Sequence, residues 1–444
     1  MPERTGPGFT LTFGGLLASV MIALKLKEGL DDYKQVSTDE EGRVALGGPP
    51  PVYRDQQDID GDDAEAISLI NTEIRVARPK RQRAKCCVCC GLNCGLFWKA
   101  FGIVVAIFAV WNAFKLIRWA VTPSPTGLED MPEFSTSLGC VSAPYIYTGA
   151  PVAFSVAVGT QNADHGLDVR GGAVGTIIVL EGAPTATEIK YEVTVRTDDE
   201  ALLDDLQVPT PENPGTKKSR AIISTPHPAE GKCMRYDLKI FVPPNLKKLH
   251  VASHAIAHVQ FDPESHIQLD DFFVTLFASS DQNIILPHNN LRAHQMSLEI
   301  YEGWIVGDAA IVSSTKITTQ RGHGIMNVRV HPTDPVDPES PEVAQLRTTS
   351  GSGRTDVFYV DHDADVHRPI SSVHLSSMNA DMYLTYRDAH FTGLVQLDST
   401  SYTATGLQPL APVEKHDKWT HWAGDKEGKD EIQVNSRKWV GLYF

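Results

Sequence analysis

A basic surplus is missing from this sequence, and with it the first requirement of a nucleic-acid binder. The chain has 444 residues, with 40 Lys and Arg against 55 Asp and Glu, a formal net charge of −15. Nucleic-acid recognition needs a basic patch or stripe, so no nucleic-acid partner is expected. Asparagine-linked glycosylation is not expected either, because no N-x-[ST] sequon occurs. There is no G-x-S-x-G elbow and no Walker loop: Gly351-Ser352-Gly353 lacks the trailing GK[ST]. Cysteine is scarce where a disulfide scaffold would need it. Of seven cysteines, five crowd between Cys86 and Cys94, and only Cys140 and Cys233 follow.

The average charge hides a boundary. Between Glu28 and Glu65 there are twelve acidic residues and three basic ones; between Arg75 and Lys85 there are six basic residues and no acidic one. Residues 1–74 read as a largely disordered acidic tail, with too little apolar surface to offset the ordering entropy. Inside it Pro50, Pro51 and Tyr53 make a PPxY pattern. An extended polyproline turn followed by an aromatic ring suits the groove of a WW domain, and a proline-stiffened linker is the alternative. Asp58, Asp60 and Asp62 resemble the start of a calcium loop. Asp63 and Leu69 stand where Gly and Glu are needed, and the match fails.

Two apolar segments bear on the membrane. Residues 8–24 are uncharged but short and broken by Gly14 and Gly15; they span, form a signal-like run, or mark a misplaced start before Met21. Residues 99–121 predict a transmembrane helix. Their uncharged core, Ala100–Phe114, reaches about 22 Å of the ~30 Å needed. Snorkelling Lys99, Lys115 and Arg118, with Trp98 and Trp119 at the interfaces, supplies the remainder. Pro123 and Pro125 then stop the helix. Residues 75–98 form a basic, cysteine-rich border. The positive-inside rule keeps that border cytosolic and sends the C-terminal part across the membrane. The N-terminus is cytosolic, or exoplasmic if 8–24 also spans, and the location is the plasma membrane or the secretory pathway. Cys86, Cys87, Cys89 and Cys90 at the membrane edge suit S-palmitoylation beside a lipid-binding basic run. Unmodified interfacial thiols are the alternative, and zinc ligation is weaker still, since four cysteines in five residues do not easily surround one ion.

Beyond residue 125 short β-branched or alternating runs recur between Gly, Pro, Asn and Asp turns. They predict a mainly β fold: a small β subdomain at 126–240, a β-repeat domain at 241–410 and a C-terminal tail at 411–444. The segments LKKLHVASHAIAHVQF, AQLRTTSGSGRTDVFYV and SSVHLSSMNADMYLTYR share a rhythm of ~20–30 residues that suits a β-solenoid. A β-sandwich is the alternative. Acidic tail with PPPVY, basic-cysteine border, one spanning helix and repeats containing TTSGSGRTDV together resemble uncharacterised fungal single-pass membrane proteins with an adhesin-like β-repeat ectodomain. The resemblance implies a β-repeat ectodomain and no catalytic residues.

Candidate chemistry is thin. His250, His254 and His258 fall on one face of a strand, but successive steps of four residues span ~13 Å, too far to share an ion; a polar sheet face is the simpler reading. Asp361, His362, Asp363, Asp365 and His367 are dense enough for metal binding, with an exposed acidic loop as the alternative. No metal, cofactor or catalytic residue is assigned. Cys140 and Cys233 can pair in an oxidising compartment, closing a loop of about 90 residues for ~4 kcal/mol. The expected function is a membrane-anchored, non-enzymatic, adhesin-like protein contacting membrane lipid and a glycan or cell-surface ligand. A tethered carbohydrate-active enzyme on a β-solenoid and a trafficking adaptor recruiting a WW-domain protein are the alternatives.

Overall fold

The computed structural model describes residues 13–34, 88–89, 92–121, 126–147, 153–208, 219–320, 323–361, 366–411 and 418–444. The chain forms two compact units, 1–124 and 125–444.

The first unit is built on two helices, α1 (Phe13–Lys34) and α2 (Cys94–Val121), which pack together. α2 is 28 residues long, about 42 Å at 1.5 Å per residue. Trp98, Val110, Trp111, Phe114, Leu116 and Ile117 stand exposed around it, and among its residues with described side chains Ala100 and Val104 are buried. Among the described residues Phe97–Arg118 is the one segment long and apolar enough to cross a membrane. In α1 the uncharged part ends at Leu24. Those twelve residues from Phe13 rise only about 18 Å, and Lys25, Lys27 and Glu28 follow directly.

The second unit is one continuous sheet. Its principal strands, in chain order, are β1 (Asp164–Gly171), β2 (Val174–Glu181), β3 (Arg220–Thr225), β4 (Met234–Val242), β5 (Lys248–Ser253), β6 (Ala257–Phe261), β7 (Ile267–Leu286) and β8 (Leu291–Ile311). They continue as β9 (Ser314–Thr319), β10 (Ile325–Pro332), β11 (Ala344–Ser350), β12 (Thr355–Val360), β13 (Ile370–Ser376), β14 (Met382–Asp388) and β15 (Asp430–Tyr443). β15 lies within 411–444, the stretch read from sequence as a tail.

The pairing corrects the expected solenoid. β8 pairs through Gln295–Ile300 with β9, and through Trp304–Ile311 with β10. From β9 the ladder continues through β11 and β13 to the first half of β15; from β10 it continues through β12 and β14 to the second half of β15. The eight strands β8, β9, β11, β13, β15, β14, β12 and β10 therefore close into a ring, all parallel. This is a closed parallel barrel rather than an open stack of coils. The parallel pairing also excludes the antiparallel sandwich. The physical reason is strand length: β7 has 20 residues and β8 has 21, so one strand serves both ladders. Beyond the ring, β7 pairs with β5 and β6, which pair in turn with β1 and β2, and those with β3 and β4. The first ladder is thus β3–β1–β5–β7–β8–β9–β11–β13–β15, and the second β4–β2–β6–β7–β8–β10–β12–β14–β15.

The core lies between the ladders. Val251, Val274, Leu298 and Ile317 stand in register on neighbouring first-ladder strands and are fully buried. The alternate residues face outward, as a period of two requires. Parallel sheets are usually covered on both faces. Here the outer face is polar, which is why the sequence alternates instead of reading as continuous apolar runs.

Candidate functional site

The two outer faces differ. The second ladder is crossed by the segment 126–140, which is fastened to it at several points. Ser135 N–H donates to His258 Nδ1 at 2.9 Å, and His258 Nε2 donates to the Gln282 carbonyl at 2.8 Å. Phe134 packs on the His258 ring. Arg235, only 2% exposed, donates to the carbonyls of Ser135 at 2.6 Å and Gly139 at 3.2 Å while holding Asp237. Cys140 and Cys233 form a disulfide. At the far end a side chain on Gly127, at φ +81°, would meet Arg354 Cδ at 2.8 Å. His258 therefore does not share an open face with His250 and His254. The chain bends after Ser253, β6 begins at Ala257, and His258 ends fully buried. Burial pushes its pKa down to about 4.

The first ladder carries a groove. Three outward rows run across its strands. The middle row is Asp168, Ala252, Thr275, Glu299, Thr318 and Thr349. It is recessed: Asp168, Ala252 and Thr318 are 4%, 7% and 5% exposed. One flanking row is His250, Phe273, Ser297, Lys316 and Arg347. The other carries His254, Phe277 and Tyr301. His254 stacks on Phe277 with centroids 4.6 Å apart, and Phe277 meets Tyr301 at 5.7 Å. Five strand steps of ~4.8 Å make the floor about 24 Å long.

The groove is charged at both ends. At the β1 end Asp168 takes Arg170 at 2.6 Å, Arg220, and His254 Nε2 at 3.4 Å. Burial works to raise the Asp168 pKa, but the hydrogen bonds and charges of Arg170 and Arg220 outweigh it and hold the carboxyl below its ordinary value. At the other end Glu299, Lys316, Thr318, Gln320, Arg347 and Thr349 line a depression of about 480 Å³.

The floor carboxylates of this groove are not spaced as a glycosidase pair. Asp168 and Glu299 lie three strands apart, about 14 Å at ~4.8 Å per step. Paired glycosidase carboxylates sit roughly 5–9.5 Å apart. A second depression, of about 320 Å³ beside β2 and β4, holds Glu192 and Asp237. There Asp237 is tied to Arg235 and Thr176, and Glu192 to Lys190 at 2.8 Å. The Lys190 hydrogen bond lowers the Glu192 pKa, the wrong direction for a general acid.

Two hydroxyl–histidine–tyrosine chains are buried in the core. Ser219 meets His165 Nδ1 at 2.6 Å, and Tyr191 meets its Nε2. Thr348 and Tyr386 do the same for His374, each at 2.7 Å. The first resembles a nucleophile and base, but Ser219 Oγ donates to the Ala157 carbonyl at 2.6 Å and the histidine is buried. Both chains satisfy polar groups that would otherwise be stranded in the core.

The remaining sequence candidates fall as follows. His367 Nε2 lies 3.0 Å from both Asp430 oxygens and its Nδ1 3.8 Å from Asp361. His362, Asp363 and Asp365 lie outside the described residues, among which no cluster suited to a metal occurs. Pro50, Pro51, Tyr53, Cys86, Cys87 and Cys90 lie outside them too. Cys89 stands in a two-residue strand, Val88–Cys89, paired with Leu92–Asn93. The groove was missed in the sequence. The signal for it is β7, where Phe272 and Phe273 point to opposite faces and Phe277 joins Phe273 outside.

No family model and no curated protein matches the chain. A Clostridium sporogenes crystal structure, of a protein described as a candidate cell adhesion protein, is matched over 66% of this chain and 95% of its own, at 9% identity and a TM-score of 0.23.

Proposed function

We propose that this chain is a membrane-anchored, non-enzymatic binding protein of adhesin type, whose second unit holds an extended glycan in the first-ladder groove. The observation that carries this reading is the ring wall His254–Phe277–Tyr301 beside a recessed floor of hydroxyls with the Asp168 and Glu299 carboxylates set apart along it. Flat rings pack on the apolar faces of sugars, and the floor supplies hydrogen-bond partners at regular strand spacing. The widely spaced carboxylates favour binding over hydrolysis. The reading places the groove on the non-cytosolic side. The six basic residues between Arg75 and Lys85, before α2, support that side, as does the Cys140–Cys233 disulfide, which persists in oxidising compartments. Acylation of the border cysteines and recruitment of a WW-domain protein by Pro50, Pro51 and Tyr53 would act from the cytosolic side.

The test is retention of the full-length protein, in detergent, on immobilised cellulose, chitin, β-1,3-glucan, dextran and polygalacturonate. At least one matrix should retain it, and replacing His254 and Phe277 together by Ala should weaken that retention about tenfold or more. Retention unchanged in the double variant would overturn the reading.

A further inference from the structure

The end of the groove at β9 and β11 differs from the end at β1 and β5. There outward cations meet acids: Arg170 and Arg220 meet Asp168, and Lys248 meets Asp271. Lys316 and Arg347 do not. They stand directly in register on neighbouring parallel strands, about 4.8 Å apart by strand spacing. Beyond them in the same row stand Ser297 and Val373. Like charges set opposite each other destabilise a sheet. Neither Lys316 nor Arg347 forms an ion pair or side-chain hydrogen bond among the described residues, although Glu299 lines the same depression.

A second observation points to the same spot. Thr318, on the floor between Glu299 and Thr349, is nine-tenths buried, and its Oγ has no hydrogen-bond partner among the described residues. Several buried hydroxyls lack a partner among the described residues, and Thr318 is the one of them that lines this depression. Two uncompensated cations and a stranded donor, facing one depression, are complementary to one anionic substituent. The Arg347 fork suits a planar or tetrahedral oxyanion, and Lys316 adds a point charge.

We infer that the Lys316–Arg347 end of the groove is an acidic-sugar subsite, so that the polysaccharide bound there carries a carboxylate or sulfate substituent. This rests on the reading of the groove as a glycan site. The subsite spans two strands and therefore holds one anionic group, with the chain continuing over Glu299 towards the His254–Phe277 wall. A densely charged polymer such as a nucleic acid would meet Glu299 and Asp168 along the same floor.

The experiment measures binding of full-length protein in detergent to polygalacturonate, dextran sulfate, neutral dextran and poly-glutamate. One of the two acidic polysaccharides should bind at least tenfold tighter than dextran, with the preferred one naming carboxylate or sulfate. Lys316→Gln with Arg347→Gln should abolish that preference, as should raised salt. The unfolding temperature of the double variant should hold or rise, because a like-charge contact is removed. Phe277→Ala should instead weaken every polysaccharide alike. An acid preference unchanged in the double variant, or poly-glutamate bound as tightly, would overturn the subsite while leaving Phe277-dependent glycan binding intact. Polysaccharide binding indifferent to Phe277→Ala would overturn the groove reading itself.

Discussion

The imidazole of His254 lies flat on the ring of Phe277, with centroids 4.6 Å apart and planes 10° from parallel. The two residues belong to different elements: Phe277 lies in β7 and His254 just after β5. Asp168 of β1 places its Oδ1 3.4 Å from the imidazole Nε2. An aromatic pair of this kind contributes about 0.5–1.5 kcal/mol, yet Phe277 remains 37% exposed. Its position wets a large apolar ring that the fold does not need.

That separation can be measured. Phe277→Ala should cost about 1 kcal/mol of stability, whereas Phe272→Ala, on the opposite face of the same strand and fully buried, should cost about 3–5 kcal/mol. Chemical denaturation of the two variants checks this. Equal losses would make Phe277 a packing residue.

The segment 126–140 should behave as a fastened strap. Cys140→Ser with Cys233→Ser opens a link between residues 93 apart and should cost about 2–5 kcal/mol. Arg235→Met removes the donors to Ser135 and Gly139. Either change should speed exchange of the Ser135 amide, now held by His258. Hydrogen exchange read at 126–140 tests it; unchanged protection would contradict the fastening.

Stability should peak near pH 6.5. Burial lowers the pKa of His165 to about 4, of His258 to about 4 and of His374 to about 3. Their unfolded value is ~6.5. Between those limits the unfolded chain binds more protons, so stability falls as pH drops from ~6.5 towards 4 and 3. His367 has the opposite sign. Asp361 and Asp430 raise it to about 9, so its contribution is complete below ~6.5 and is lost as pH rises towards 9. Unfolding temperature against pH should therefore fall on both sides, and His367→Gln should flatten the alkaline side. A wild-type curve that keeps rising to pH 9 would contradict this.

Local pattern made parts of the fold legible. α2 was readable because its apolar run and flanking charges are contiguous. β11 was readable because Ala344, Leu346, Thr348 and Ser350 alternate with outward residues. The ring was not, because closure depends on which halves of β8 and β15 pair with which strands. Short runs also concealed length: the apolar run Phe272–Phe277 is only the middle of a strand that extends from Ile267 to Leu286. His250, His254 and His258 looked equivalent at a spacing of four. Contacts remote in sequence distinguish the buried one, among them Ser135, 123 residues before His258. The groove shares that origin, since Asp168, Ala252 and Thr275 become neighbours through register alone.

Hydroxyl-radical footprinting of the full-length protein, with and without the polysaccharide that retains it, tests the groove most directly. Oxidation of His254, Phe277 and Tyr301 should fall several-fold on binding, while the exposed Met378 and Tyr402 should react as before. Protection of Tyr402 or Met378 with His254, Phe277 and Tyr301 unchanged would place the ligand elsewhere and contradict the account.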